Sequence, residues 1–420
     1  VASALGAWIL FGPASAATWG GIGAVIGYAL GTAFPLFILI YLGTRFREQY
    51  PKGKTLIEVI RLKYGPNLFK LILVLSIFYM TIFLIAEVTA VSLLIKYISG
   101  TELWITALII IVSSLVYTLY GGLRASIFTD NIQFIVFVVL LLIAFSYLIN
   151  FNINEFSFDF IKEKQSHLLS SSYLPNFTAG LTFFIAVAAT NSFHQGNWQR
   201  VYAAKNNKVL KNSLIISFFI IIPIVFFMGF SGLVAVSADT VSVPDLAFFQ
   251  LLLKDQYVTI SVIIIFLAIS LTVSSIDTII NAISSLIIVD GKKIIKSKNY
   301  DLLSKQIIII LSIIALFVAS KGLSILYLFL LADLFCCAAV LSIFYGFYSK
   351  TFLEKNAYIS IIIGLFAGLL LFPSPDFSKS ILIGIIFPSN LFPSFVLQSL
   401  LFLSFMVATF APLLTWNIKK

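Results

Sequence analysis

Along this chain, long apolar runs alternate with short polar connections, and the length of the runs sets the class before anything else does. Crossing the hydrocarbon of a bilayer takes about 20 mostly apolar residues in a helix. Runs of that kind recur near 2–18, 20–43, 67–95, 103–120, 123–149, 177–196, 212–235, 257–288, 304–320, 324–348, 357–372 and 392–416. The pattern predicts an all-α polytopic membrane protein of about twelve transmembrane helices. The last two runs are separated by the proline-rich piece FPSPDFSKS (372–380).

Composition agrees with the pattern. Hydrophobic residues make up 60% of the 420 positions and charged residues 10%, against roughly a quarter charged in an ordinary soluble domain. The two cysteines, Cys336 and Cys337, are neighbours inside a predicted span and read as small packing residues. The two histidines, His167 and His194, stand apart, and neither a phosphate-binding loop nor a nucleophile elbow is present, so the chain does not read as an enzyme. A net charge of +10 is in the range of a nucleic-acid footprint, but its placement says otherwise. If alternate connections are cytoplasmic, 21 of the 27 basic residues fall on that side, which is the orienting bias of a membrane protein. The basic loops then need neither nucleic acid nor an obligate protein partner. Both ends are expected in the cytoplasm and the chain in the cell (inner) membrane. The absence of an initiator methionine at Val1 reads as a trimmed start.

This orientation runs span 1 and span 6 in opposite directions, so residues 1–149 and 177–348 form two groups of five spans with inverted topology, followed by accessory helices in 357–420. Inverted repeats are a common transporter plan, with binding sites near midplane where discontinuous helices expose backbone groups. Span 1 offers such a break in ALGAWILFGPAS, where Gly6, Gly12 and Pro13 interrupt an apolar segment. Span 6 ends in the polar cluster TNSFHQGNWQR (190–200). Span 2 carries Gly23, Gly27 and Gly31 at four-residue intervals, which reads as close helix packing and not as chemistry.

Four of the 17 acidic residues, Glu87, Asp130, Asp277 and Asp333, fall inside predicted spans. A carboxylate at bilayer depth is costly unless paired or facing a wet cavity, and so marks function. Asp130 and Asp277 both lie in the cytoplasmic half of their spans. In SSIDTIINAISSLIIVD, Ser274, Asp277, Thr278 and Asn281 share one helical face, and their hard oxygen donors suit an alkali or alkaline-earth cation. Hydroxyls bonded back to the i−4 carbonyl are the bland alternative, which leaves the aspartate unexplained.

Several motifs in this order resemble those of the sodium:solute symporters: SALGAWILFGP in span 1, the loop KTLIEVIRLKYGP, GGLRASIFTDNIQ opening span 5, GNWQRVYAAKNN closing span 6, and SSIDTIINAISSLIIVD in span 8. The resemblance covers nearly the whole chain. It implies the five-plus-five inverted repeat of the leucine-transporter type, with discontinuous helices 1 and 6, and sodium-coupled uptake of a small organic solute by alternating access. It also implies a principal sodium (Na+) site built from the backbone carbonyls of Ala2, Leu5 and Leu271 and the hydroxyls of Ser274 and Ser275. A second sodium site, present in some members, would use Asp130, Ser274, Asp277 and Thr278. Around the breaks, Trp8, Phe11, Glu87, Asn191 and Asp333 are the candidates for solute contact. No lysine or arginine is expected near midplane, which fits a neutral or zwitterionic solute. Proton coupling through Asp130 or Asp277 is an alternative, and a channel or membrane sensor is another.

Overall fold

A computed structural model describes residues 6–51, 55–152, 155–254, 258–349, 352–375, 377, 379–380, 399–410 and 413, with the side chains at 117, 119–127, 129–130 and 149–152 left aside. The described chain is almost wholly helical: α1 (Trp8–Gln49), α2 (Leu56–Lys63), α3 (Pro66–Ser99), α4 (Leu103–Asn152), α5 (Phe158–Gln165), α6 (Leu174–Phe193), α7 (Gln195–Ala203), α8 (Asn207–Ser237), α9 (Ala247–Leu252), α10 (Val258–Ser285), α11 (Tyr300–Ala319), α12 (Ile325–Gly346), α13 (Glu354–Leu371) and α14 (Leu400–Phe410). A π-helical turn, Leu286–Asp290, extends α10.

Predicted spans 1 and 2 are the two limbs of α1. Twenty residues separate Trp8 from Tyr28, about 30 Å along a straight helix, yet their rings stack with centroids 5.9 Å apart. The chain doubles back at Gly21, whose φ of 58° and ψ of −156° break the helix. Glycine takes a positive φ without a Cβ penalty, and a Cβ here would also lie 2.1 Å from Asn176 Oδ1. The second limb then lies on α6 so closely that a Cβ on Gly23 would come 1.7 Å from the Asn176 carbonyl oxygen, and one on Gly27 2.1 Å from that of Gly180. Backbone cannot yield as a side-chain tip can. Gly23→Leu should therefore sharply reduce the yield of monodisperse protein in detergent, whereas Gly291→Ala, whose added Cβ meets nothing nearer than 3.7 Å, should not. Equal yields would contradict this packing.

The molecule is apolar outside as well as inside. On α11 the buried positions include Ser304, Ser312, Ala315 and Ala319, while Ile310, Ile313 and Phe317 are exposed, the last by 67%. Large side chains facing out and small ones facing in suit a helix whose solvent is lipid. Among the described residues eight helices are long and apolar enough to cross a bilayer, or nine if Phe158–Leu169 and Leu174–Phe193, bent by 84°, count as one span. The expected twelve is not reached in this count. Two predicted spans share α1, another two (103–120 and 123–149) share the continuous stretch α4, and of the last only residue 399, α14 and residue 413 are described.

Three sets of contacts hold the central helices in register. Span 6 is discontinuous: α6 stops at His194, whose ψ of 112° is extended, and α7 begins at Gln195. The carbonyls orphaned by the break are taken up from α7, the Asn197 side-chain amide donating to Asn191 O at 2.9 Å and the Trp198 indole to Ser192 O at 2.8 Å. Span 1, by contrast, is helical through Gly12 and Pro13. Of the three residues expected to interrupt it, only Gly6 lies outside the helix, which begins at Trp8. Pro13 is buried, and Gly12 leaves room for Tyr28, whose hydroxyl would be 2.5 Å from an added Cβ. On one side of the bundle, buried Asp245 accepts the Ser15 hydroxyl at 3.0 Å and the first backbone N–H groups of α12, Ile325 at 2.8 Å and Leu326 at 3.1 Å. Near the C-terminal end of α10, the Thr55 hydroxyl donates to Asp290 at 2.7 Å, and Lys293 pairs with both Glu58 and Asp290.

Candidate functional site

Where α1, α3, α6, α10 and α12 meet, they enclose a cavity. Trp8, Glu87, Asn191, Ser274, Ser275, Thr278 and Asp333 line it, together with Gly6, Tyr28, Phe83, Val187, Thr190, His194, Asn197, Ile279 and Phe329. About 60 Å³ is open to the centres of water molecules, room for roughly four to six waters at 10–15 Å³ each. Phe11 is not in the wall. It is fully buried with its ring 4.9 Å from that of Phe249, on the side of α1 that faces α9.

One hydroxyl ties the start of α1 to α10. Ser275 Oγ accepts the Ala7 N–H at 2.9 Å and donates to the Leu271 carbonyl at 3.0 Å. Ser274, one residue earlier, also faces the cavity. Ala2 and Leu5 lie outside the described residues. Glu87 reaches the same corner from α3. Its carboxylate meets the Trp8 backbone N–H and the Ser275 hydroxyl, at a helix N-terminus where unpaired N–H groups favour an anion. Glu87 is 1% exposed, and its Oε2 has no hydrogen-bond partner among the described residues.

Ser274, Asp277, Thr278 and Asn281 do share one buried face of α10. The Thr278 hydroxyl lies 3.3 Å from Asp277 Oδ1, and the Asn281 amide donates to the Asp277 carbonyl at 2.9 Å. Arg200 of α7, which reads in the sequence as one of the solvated loop charges, turns toward this face instead. It donates to Thr278 Oγ1 at 3.4 Å and to the Gly196 carbonyl at 3.1 Å. Asp130 is on α4, and its side chain lies outside the described residues.

Comparison with known proteins sets this geometry in a family. The model of the sodium:solute symporter family matches residues 1–364. The chain belongs to the sodium:solute symporter family. Relatives include the spermidine transporter DUR31 of Candida albicans, 27% identical over 350 residues, with 82% of this chain and 66% of that protein covered. Solute carrier family 5 member 4 of Rattus norvegicus is 33% identical over 126 residues, 28% of this chain and 19% of the relative. A probable urea active transporter of Schizosaccharomyces pombe is 25% identical over 124 residues, covering 29% and 18% of the two chains. The chain thus spans just under two thirds of DUR31 and under a fifth of the other two. The relatives' names are those of transporters and not of enzymes. Among solved structures, a Na+-coupled sialic acid symporter superposes with a TM-score of 0.70 at 17% identity, covering 98% of this chain and 88% of that one. MHP1, a nucleobase-cation-symport-1 family transporter, gives 0.58 at 11% identity over 98% and 89%. At these identities the likeness establishes the fold, the leucine-transporter type.

Within this symporter-family fold, several lining residues escape a reading of the sequence. Tyr28 enters the wall only because α1 reverses at Gly21. Phe83 and Phe329 each precede a buried acid by four residues, Glu87 on α3 and Asp333 on α12, and that shared spacing is the signal that could have revealed them. His194 and Asn197 face the cavity because α6 ends where it does, which the polar run in TNSFHQGNWQR foreshadows without placing either side chain.

Proposed function

We propose that this member of the sodium:solute symporter family couples the entry of sodium to the uptake of a small organic solute held in the cavity, with alternating access between the two sides of the membrane. The observation that carries the reading is the Ser275 junction, one hydroxyl joining the Ala7 N–H at the start of α1 to the Leu271 carbonyl of α10. Rocking of α1 against α10 would open or close oxygen ligands at that point, so ion occupancy and solute access would be linked. Ala2, Leu5, Leu271, Ser274 and Ser275 are the proposed sodium ligands, and Trp8, Glu87, Asn191 and Asp333 the proposed solute contacts. Relatives named for spermidine and urea transport support a small nitrogenous solute.

The energetics are adequate. One charge crossing a potential of 100 mV is worth about 2.3 kcal/mol, which at about 1.4 kcal/mol per tenfold corresponds to roughly fifty-fold accumulation of a neutral solute. A second sodium at Asp130, Ser274, Asp277 and Thr278 would square that factor. Arg200 competes with this second ion, because its guanidinium already brings a positive charge to Thr278. Proton coupling through Asp277 is the alternative in which the carboxyl, not sodium, carries the charge.

Uptake of a panel of labelled solutes into proteoliposomes decides among these. A sodium gradient should drive accumulation in wild type where a pH gradient alone does not, and charge moved per solute should report one ion or two. If Asp277→Asn lowers both the Hill coefficient for sodium and the charge ratio, two ions are moved. An unchanged ratio removes the second site. Accumulation driven by pH alone would overturn sodium coupling.

A further inference from the structure

The cavity holds two buried carboxyl groups, more acid than a neutral solute calls for. Glu87 and Asp333 both line it and both are buried, at 1% and 4% exposure. Among the described residues no lysine or arginine lines the cavity, and none comes within 4 Å of either carboxylate. A buried carboxylate without a cation is costly. The two acids sit in different surroundings. Glu87 is at the ion corner, with Ser275 and the first turn of α1. Asp333 is on α12, where it accepts the Thr190 hydroxyl at 2.6 Å, its one hydrogen bond among the described residues.

Aromatic rings complete the enclosure. Phe83 stands one turn before Glu87 on α3 and Phe329 one turn before Asp333 on α12, and the two rings meet with centroids 5.1 Å apart. The stacked pair Trp8 and Tyr28 forms another part of the wall. Carboxylates among aromatic faces are the environment in which an organic cation replaces its hydration shell most completely. Glu87 Oε2 has no hydrogen-bond partner among the described residues, so even the better-furnished end of the enclosure presents an acceptor to a cationic donor.

We infer that the transported solute bears an ammonium group, which pairs with Asp333 inside the walls formed by Tyr28, Phe83 and Phe329, while Glu87 balances the coupling ion beside Ser275. The inference rests on the symport reading for its ion, but solute recognition can be measured without transport. Equilibrium binding of tritiated 1,4-diaminobutane and tritiated choline to the detergent-purified full chain in sodium is the direct experiment, with labelled urea and glucose as uncharged comparators. One or both amines should bind and the comparators should not. Asp333→Asn should weaken amine binding at least tenfold and leave the half-saturating sodium concentration where it was, and Glu87→Gln should raise that sodium concentration severalfold and weaken amine binding less than Asp333→Asn does. Should Asp333→Asn not fold, Phe329→Leu, which removes only a ring, should weaken amine binding severalfold. Binding of urea or glucose but not of the amines, or amine binding indifferent to Asp333→Asn, overturns the inference. Amine binding that no sodium gradient converts into uptake would uphold it and overturn the symport reading instead.

Discussion

Gly6→Leu should abolish solute uptake while the protein still folds and inserts. Gly6 is in the stretch just before α1, and a Cβ there would lie 2.7 Å from Trp8 Cδ1 and 2.8 Å from Ser275 Oγ. Those two atoms belong to the cavity wall and to the junction between α1 and α10. A leucine must displace both, opening the Ala7–Ser275–Leu271 contact and pushing the indole from its stack with Tyr28. The damage is confined to a helix end and does not touch the glycine packing of the second limb on α6. Size-exclusion profile and thermal unfolding should therefore match wild type within a few degrees while uptake falls to background, with Gly6→Ala in between. Normal uptake by Gly6→Leu would exclude this corner from the transport cycle.

Replacing Ser274 and Ser275 together by alanine should raise the sodium concentration for half-maximal uptake tenfold or more. An interaction of this kind with a charged group is worth about 1.5–3 kcal/mol net, so two lost hydroxyls exceed the roughly 1.4 kcal/mol that a factor of ten represents. Ser275→Ala alone also strips the Ala7 N–H of its acceptor, so it should cost more than Ser274→Ala. Maximal uptake at saturating sodium should be largely preserved, and expression should not change. Sodium titrations of uptake by the three variants measure this. A curve that superposes on wild type removes the hydroxyls from the ion site.

These expectations draw unequally on sequence and structure. The serines were legible, because two adjacent hydroxyls and an aspartate inside an apolar run mark a polar face by spacing alone, and α10 is indeed a single helix with Ser274, Asp277, Thr278 and Asn281 on one buried face. The glycine stripe was legible as packing for the same reason, being a property of one helix at a four-residue interval. Glu87 and Asp333 were legible as anomalies of burial. Their aromatic neighbours were not, since phenylalanine is common throughout the chain, with 42 residues, and marks nothing without its partner across the cavity.

Membrane class, helical architecture and the positions of the polar anomalies follow from the sequence by itself, because each depends on how a local segment partitions between water and lipid and on the 3.6-residue period. Which faces meet was decided only by the tertiary structure. The reversal at Gly21 set Tyr28 against Trp8, the enclosure around α7 turned Arg200 from solvent to Thr278, Asp245 capped α12 from a distant loop, and Phe11 faced Phe249 instead of the cavity. In water an apolar stripe points to the core, but in a bilayer the lipid-facing and protein-facing sides of a helix are both apolar. On a helix such as α12 the pattern of hydrophobicity therefore carries almost no information about direction, and only close packing against particular neighbours supplies it.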